Sequence, residues 1–200
     1  MAASGQSVVW VALNGRPAGL LGLADEIHPE AAAAVAELHR LGLRTRLLSG
    51  DRHAAVGAVA DRLGIDRFEA GLTPHAKLGR IRRLATQPGG VAMVGDGIND
   101  APALAAATVG IAIGTGADVA REAADICLVG HGPKLVPLAI NASRRSSRVM
   151  KQNLVWAVIY NAAMLPVAML TALPPAAATA AMMCSSLSVV GNALRLRRLI

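Results

Sequence analysis

The chain is poor in aromatics, poor in cysteine, and lacks acidic residues over its last third. Phe, Trp and Tyr make up 2% of its 200 residues. No basic face with interleaved aromatics exists, which excludes a stacking single-strand nucleic-acid binder, and no nucleic-acid partner is expected. The two cysteines, Cys127 and Cys184, stand 57 residues apart. Neither has CxxC or Cys/His zinc spacing, and nothing suggests a secreted disulfide framework. The first residues, MAASGQS, lack the basic start and apolar run of a signal peptide.

The formal charge of +7 divides unevenly. Residues 1–130 carry 12 Lys and Arg against 13 Asp and Glu, whereas residues 131–200 carry eight basic residues and no acid. The chain is therefore a near-neutral half joined to a basic, apolar half. Its length suits one ordinary domain plus an appendage.

In the first half, strand-like and helix-like segments alternate. Residues 8–13 and 18–24 read as strands around Asn14-Gly15, a hairpin signal. Pro29 opens a helix that stops at Gly42. LRTRLLSGD reads as a strand ending at Ser49-Gly50-Asp51. Residues 52–63 read as a helix, and Thr73-Pro74 opens another that runs to about Ala85. Residues 91–95 are a buried strand, Ala101–Ala106 a short helix, VGIAIG a strand and ADVAREAA a helix. The alternation predicts an α/β fold, with a parallel sheet and helices on its faces.

The second half differs. Residues 134–151 are helix-compatible and end in Arg144, Arg145, Arg148 and Lys151. Leu154–Leu173 is a run of 20 uncharged residues, Pro174-Pro175 breaks it, and Ala176–Leu194 is a further 19. At 1.5 Å per residue each spans roughly 30 Å, the thickness of a bilayer core. Basic clusters at both outer ends predict a transmembrane hairpin in a multi-pass protein of the cell membrane, with residues 1–151 and the C-terminus cytoplasmic.

Three polar clusters fall where α/β sheets bind ligands, at the carboxyl ends of strands. Ser49 offers a hydroxyl to a phosphoryl oxygen, and Gly50 admits close backbone approach; a helix-capping turn accounts for this pair equally well. Lys77, early in a helix, can reach a phosphoryl group or a carboxylate, although by itself it also reads as a solvated lysine. In Val94-Gly-Asp-Gly-Ile-Asn-Asp100, Asp96 and Asp100 offer oxygen to Mg²⁺ and Asn99 offers a donor to phosphate. Arg80, Arg82 and Arg83 read as ordinary surface.

Together these residues resemble the phosphorylation domain of P-type ATPases, a Rossmann-like, haloacid-dehalogenase-type fold. GDGINDAPAL is similar to that family's hinge signature, LLSGD to its Thr-Gly-Asp segment with Ser49 in place of Thr, and TPHAK to its Pro-x-x-Lys element. GLADEIHPEA resembles the segment that re-enters the phosphorylation domain, with His28 where Arg is usual. Asn153, Tyr160-Asn161 and Pro166 resemble the seventh transmembrane helix of copper(I) exporters, and Met182-Met-Cys-Ser-Ser186 their eighth. Sulfur ligands suit Cu⁺, and the missing acids disfavour a zinc-type site.

The resemblance implies the C-terminal part of a heavy-metal ATPase using ATP and Mg²⁺. In it Ser49, Lys77, Asp96 and Asn99 act catalytically, and Ser49, Gly50, Lys77 and Asn99 hold phosphate. Asp96 and Asp100 hold Mg²⁺, while Tyr160, Asn161, Met182, Ser185 and Ser186 line the path of Cu⁺, the metal ion delivered by a metallochaperone. Residues 1–24 would be a nucleotide-domain remnant and return strand, 25–132 the phosphorylation domain, 133–151 a basic linker helix and 152–200 the membrane hairpin. The family's Asp-Lys-Thr-Gly-Thr and Cys-Pro-Cys motifs are absent. The nucleophilic aspartate and the rest of the ATPase chain are therefore expected N-terminal to it, and the isolated chain is expected to be inactive. The rival readings are a non-catalytic, metal-binding or regulatory membrane fragment, and a haloacid-dehalogenase-type phosphatase; the phosphatase leaves the two apolar runs unexplained.

Overall fold

In the computed structural model, residues 7–23, 26–95, 98–114, 122–130, 132–170 and 174–195 are described. They fall into two units, one up to Pro137 and one from Leu138.

The first unit opens with a hairpin. Strands β1 (Ser7–Leu13) and β2 (Arg16–Leu23) pair antiparallel, with a bulge between Val11 and Ala12. Asn14 and Gly15 turn the chain at φ 51° and 76°. Two successive positive φ values match the right-handed twist of the flanking strands, so the two-residue turn suits the pair.

Helix α1 (Ala31–Arg40) follows Pro29. Strand β3 (Leu47–Leu48) then pairs parallel with β4 (Phe68–Glu69), and α2 (His53–Leu63), which buries Val56 and Ala60, connects them. Helix α3 (Pro74–Ala85) starts where Thr73 Oγ1 accepts from Ala76 N at 3.2 Å, with proline in its first turn. That cap satisfies one of the otherwise orphaned N–H groups.

A three-stranded parallel sheet completes the unit. Its order is β5 (Ala92–Gly95), β6 (Val109–Ile113) and β7 (Ile126–Leu128), with Val94 opposite Ile111 and Ile111 opposite Ile126. A 3₁₀ turn (Ile98–Asp100) and α4 (Ala101–Ala106) link β5 to β6. Ile81, Met93, Ala103 and Leu104 form the core between α3, α4 and β5. Burying one such large aliphatic side chain stabilises the fold by about 1.5–3 kcal/mol. A Cβ at Gly110 would lie 2.7 Å from the Leu104 carbonyl oxygen, so α4 rests on β6 only because that position is glycine. Asp125 Oδ2 accepts from Gly110 N at 2.7 Å and ties β6 to the approach to β7.

These elements have the expected α/β character, with differences in extent. β3 and β4 each extend over only two residues. Strands β4 and β7 have no alternation to announce them. The helix expected over ADVAREAA falls mainly on residues 115–121, outside the described residues.

Helix α5 runs from Leu135 to Leu170, 36 residues without interruption. It passes through residue 151, where the sequence pattern divides a basic linker from an apolar span. Its length of about 54 Å exceeds a bilayer core. Helix α6 spans Pro175–Leu194. Among the described residues, α5 alone is long and apolar enough to cross a membrane, the apolar part of α6 (Thr179–Leu194) being shorter.

The two helices meet along a narrow seam. Asn153, Ala157, Tyr160 and Met164 are half-buried on α5, as are Ala181, Ser185, Val189 and Asn192 on α6. Steps of three and four residues put each set on one helix face. Small and polar residues let helix backbones approach closely where hydrocarbon offers no hydrophobic drive. Tyr160 Oη donates to the Ala181 carbonyl at 2.5 Å, and Asn192 Nδ2 donates to Asn153 Oδ1 at 2.8 Å. Away from the seam, Leu154, Val155, Trp156, Val158 and Ile159 are more than half exposed.

Candidate functional site

The start of α3 and the loop after β5 bring Lys77 and Asp100 into contact, while the loop after β3 carries Ser49. Their common support is the Ile81–Met93–Leu104 core, against which Leu48 also packs. Ile81 stands one turn beyond Lys77 on α3, Met93 lies on the strand that leads to Asp100, and Leu48 immediately precedes Ser49.

Lys77 and Asp100 form the centre. Lys77 Nζ donates to Asp100 Oδ1 at 2.7 Å, and each side chain is 16% exposed. A charge-assisted bond of this length, largely out of solvent, is stronger than a surface pair. Gly95 explains how Asp100 fits. A Cβ there would lie 2.9 Å from both Asp100 Cβ and Asp100 Oδ2, so the end of β5 leaves the carboxylate the space a side chain would fill.

Ser49 belongs to a loop that holds itself in shape. Its Oγ donates to Asp51 Oδ2 at 2.8 Å and accepts from Asp51 N at 3.2 Å. Ser49 N donates to the Glu69 carbonyl, and Leu72 N donates to the Ser49 carbonyl, both at 3.0 Å. A Cβ at Gly50 would stand 3.2 Å from the Leu72 carbonyl oxygen. Asn99 is exposed within the 3₁₀ turn. Asp96, expected to hold Mg²⁺, lies outside the described residues.

Asp51, which closes the Ser-Gly-Asp segment, holds the hydroxyl of Ser49, and one further participant, Glu69, escapes sequence reasoning. Glu69 receives two guanidinium groups, Arg46 Nη1 at 3.2 Å and Arg80 Nε at 2.6 Å. Arg80 is thus half-buried and paired, not ordinary surface; nothing local in the sequence signals a partner 11 residues away.

The oxygen donors suit a hard cation. Mg²⁺ takes one or two carboxylates and fills its other positions with water and phosphate oxygens. Asp100 has one oxygen engaged by Lys77, and its second, Oδ2, faces Gly95 at the end of β5. Among the described residues no cluster of three or more His, Cys, Asp or Glu exists, so a cage built wholly of protein groups is not on offer there.

In the helix pair, the five residues expected to meet the transported ion divide. Tyr160 and Ser185 lie half-buried on the seam, whereas Asn161, Met182 and Ser186 are exposed. The Tyr160 hydroxyl reaches the carbonyl next to Met182, but Met182 is 72% exposed. Pro166 has no N–H, so the Ala162 carbonyl, one residue beyond Asn161, lacks its usual helical donor. Two helices alone do not enclose a cation.

The pattern that describes the haloacid dehalogenase-like hydrolases matches residues 2–108. A copper-exporting P-type ATPase of Staphylococcus haemolyticus is 47% identical over 199 residues, which is 100% of this chain and 25% of that protein. A copper-exporting P-type ATPase of Mycobacterium tuberculosis is 48% identical over 194 residues, 97% of this chain and 26% of that protein. The crystal structure of a zinc-transporting PIB-type ATPase in its E2.Pi state is similar with a TM-score of 0.82 and 38% identity, covering 98% of this chain and 32% of the other. The chain thus spans about a quarter of the length of the curated relatives it matches.

Proposed function

The chain belongs to the haloacid dehalogenase-like hydrolase family and its homologues are P-type ATPases, and from that premise we propose that it forms part of an ATP-driven exporter of Cu⁺. The first unit supplies groups around an aspartyl phosphate whose aspartate lies elsewhere in the full protein. The helix pair supplies part of the ion path, in a multi-pass protein of the cell membrane whose first unit is cytoplasmic. The Lys77–Asp100 pair, set by Gly95 at the end of a parallel strand, carries this reading.

Phosphoryl transfer spreads negative charge over three equatorial oxygens, and catalysis there is chiefly positioning and electrostatic stabilisation. Lys77 provides a fixed cation, already oriented by Asp100, that can turn one of its remaining donors to such an oxygen. Ser49 can rotate its hydroxyl from Asp51 to a phosphoryl oxygen, and Gly50 adds no side chain to the loop. Asn99 offers an amide from the exposed side of the turn. Asp100 and Asp96 would hold Mg²⁺, which supplies neutralisation of charge on the transferring group.

For the ion path, the donors favour a soft monovalent cation. Residues 131–200 contain no carboxylate, while Met182, Met183 and Cys184 offer sulfur. This weighs for copper even though one structural relative transports zinc. Asn161, Met182 and Ser186 are exposed on the helix pair, so further helices of the full protein would complete their coordination. A metallochaperone is the source of ion consistent with a thiophilic cargo.

The test is a chimera in which this chain replaces the matching quarter of the Staphylococcus haemolyticus exporter. Cu⁺-stimulated, hydroxylamine-labile phosphorylation from labelled ATP is expected, with loss in Lys77→Ala and Asp96→Ala. A chimera that inserts and binds Cu⁺ but is phosphorylated equally well with alanine at position 77 would overturn the assignment.

A further inference from the structure

We propose that α5 carries a binding groove for one anionic phospholipid where the helix meets the bilayer surface. The proposal rests on the reading that α5 enters a membrane. A shallow open groove, lined by residues of α5 alone, runs along one face of this helix. Its upper part is lined by Arg144, Arg148 and Lys151, and its lower part by Val155, Trp156 and Ile159. The cationic and apolar parts follow each other along one helix face, at spacings near one helical turn.

Charge selects the occupant. Residues 131–200 contain no Asp or Glu, so no acidic side chain of the second unit faces Arg148 or Lys151. Arg148 and Lys151 are exposed, and Trp156 is 62% exposed. An indole ring prefers the headgroup level of a membrane, with its ring in the acyl boundary and its N–H towards water. Trp156 lies five residues, about 7.5 Å of helix, beyond Lys151. A lipid phosphate at Arg148 and Lys151 would therefore set its acyl chains along Val155, Trp156 and Ile159. A free phosphate would satisfy the cations and leave the apolar part of the groove exposed. A zwitterionic lipid brings its own cation to the arginine cluster. A phospholipid with net negative charge, such as phosphatidylglycerol, satisfies both parts.

The chain contains two tryptophans, Trp10 and Trp156, so Trp10→Phe leaves Trp156 as the only indole reporter. The full chain carrying this change is reconstituted into vesicles of phosphatidylcholine with a minor share of brominated lipid, either phosphatidylglycerol or phosphatidylcholine. Quenching of Trp156 should favour brominated phosphatidylglycerol, and Arg148→Gln should reduce that preference by about fivefold, the weight of one basic residue near an anionic surface. Arg145→Gln removes the same charge outside the groove and should leave most of the preference, and millimolar inorganic phosphate should not abolish it. Equal quenching by the two lipids overturns the lipid site while leaving membrane entry intact. An equal loss in the two glutamine variants reduces the effect to general surface charge and also overturns it. Displacement by inorganic phosphate assigns the cations to a free anion instead. Absence of quenching by either lipid removes the membrane reading and the site together.

Discussion

Lys77 Nζ lies 2.7 Å from Asp100 Oδ1, and the two residues reach each other from a helix start and a 3₁₀ turn 23 positions apart. Removing either partner strands a mostly buried charge, which costs more than the pair contributes. Lys77→Ala and Asp100→Ala should each destabilise the full chain by about 2 kcal/mol, while the double variant should lose less than the sum. Urea unfolding in detergent, followed by circular dichroism, reads the cycle. Additive losses would mean the two groups do not support each other.

Gly95→Ala tests placement without touching charge. The new methyl would meet Asp100 at 2.9 Å, so the carboxylate must move. A displacement near 1 Å at a reacting centre costs about a hundredfold in rate. The chimera's rate of phosphorylation should fall by about that factor, with secondary structure retained by circular dichroism. An unchanged rate would show that the position of Asp100 does not matter to transfer.

Glu30 gives a prediction with pH. Its carboxylate accepts from Lys134 Nζ at 2.8 Å, and this bond holds its pKa below the ordinary value of 4.5, against a smaller opposing effect of desolvation. A lowered folded-state pKa means the stabilising contribution is full above the unfolded value. It is lost as pH falls through the folded one. Stability between pH 6 and 7 should therefore be indifferent to this pair. Carbon-detected NMR titration should find the Glu30 midpoint low, and Lys134→Ala should return it towards 4.5. A midpoint that ignores position 134 would remove the ion pair as its cause.

What the sequence discloses depends on how local the cause is. The Asn14-Gly15 turn and the Thr73 cap with Pro74 are each decided within a few residues, and each stands where the pattern puts it. Ser49, Lys77 and Asp100 are legible as candidates because they follow strand ends or open a helix. Their partners are not. Lys77 with Asp100, Arg80 with Glu69, and Gly110 with Asp125 are matched by the packing of α3, α4 and the sheet, and no periodicity encodes it. The second half shows the same division. Uncharged length marks the apolar runs, but the seam from Asn153 to Met164 appears only when α6 lies against α5, and sequence alone gave no reason for α5 to continue unbroken through Lys151.

The seam itself can be tested. Tyr160→Phe removes the hydroxyl that reaches the Ala181 carbonyl, and Asn192→Ala removes the amide that reaches Asn153. Each should cost about 0.5–1 kcal/mol of helix–helix association in a bilayer. A disulfide-trapping equilibrium between cysteines introduced on the facing helices would measure it. No change in either variant would mean that packing of Ala157 and Val189, not these hydrogen bonds, sets the pair.

Asn153 and its partner Asn192 are separated by 39 residues of chain. At usual synthesis rates roughly 2–8 s of translation separates them. During that interval the Asn153 amide has no partner on α6, in a segment whose neighbours favour hydrocarbon. An unpaired amide is costly there, so the first helix should wait near the headgroups or the insertion machinery until the second arrives. On the proposed membrane reading, the hairpin, not the single helix, is then the unit of insertion. Slowing translation between the two asparagines should increase exposure of the segment to quality-control proteolysis.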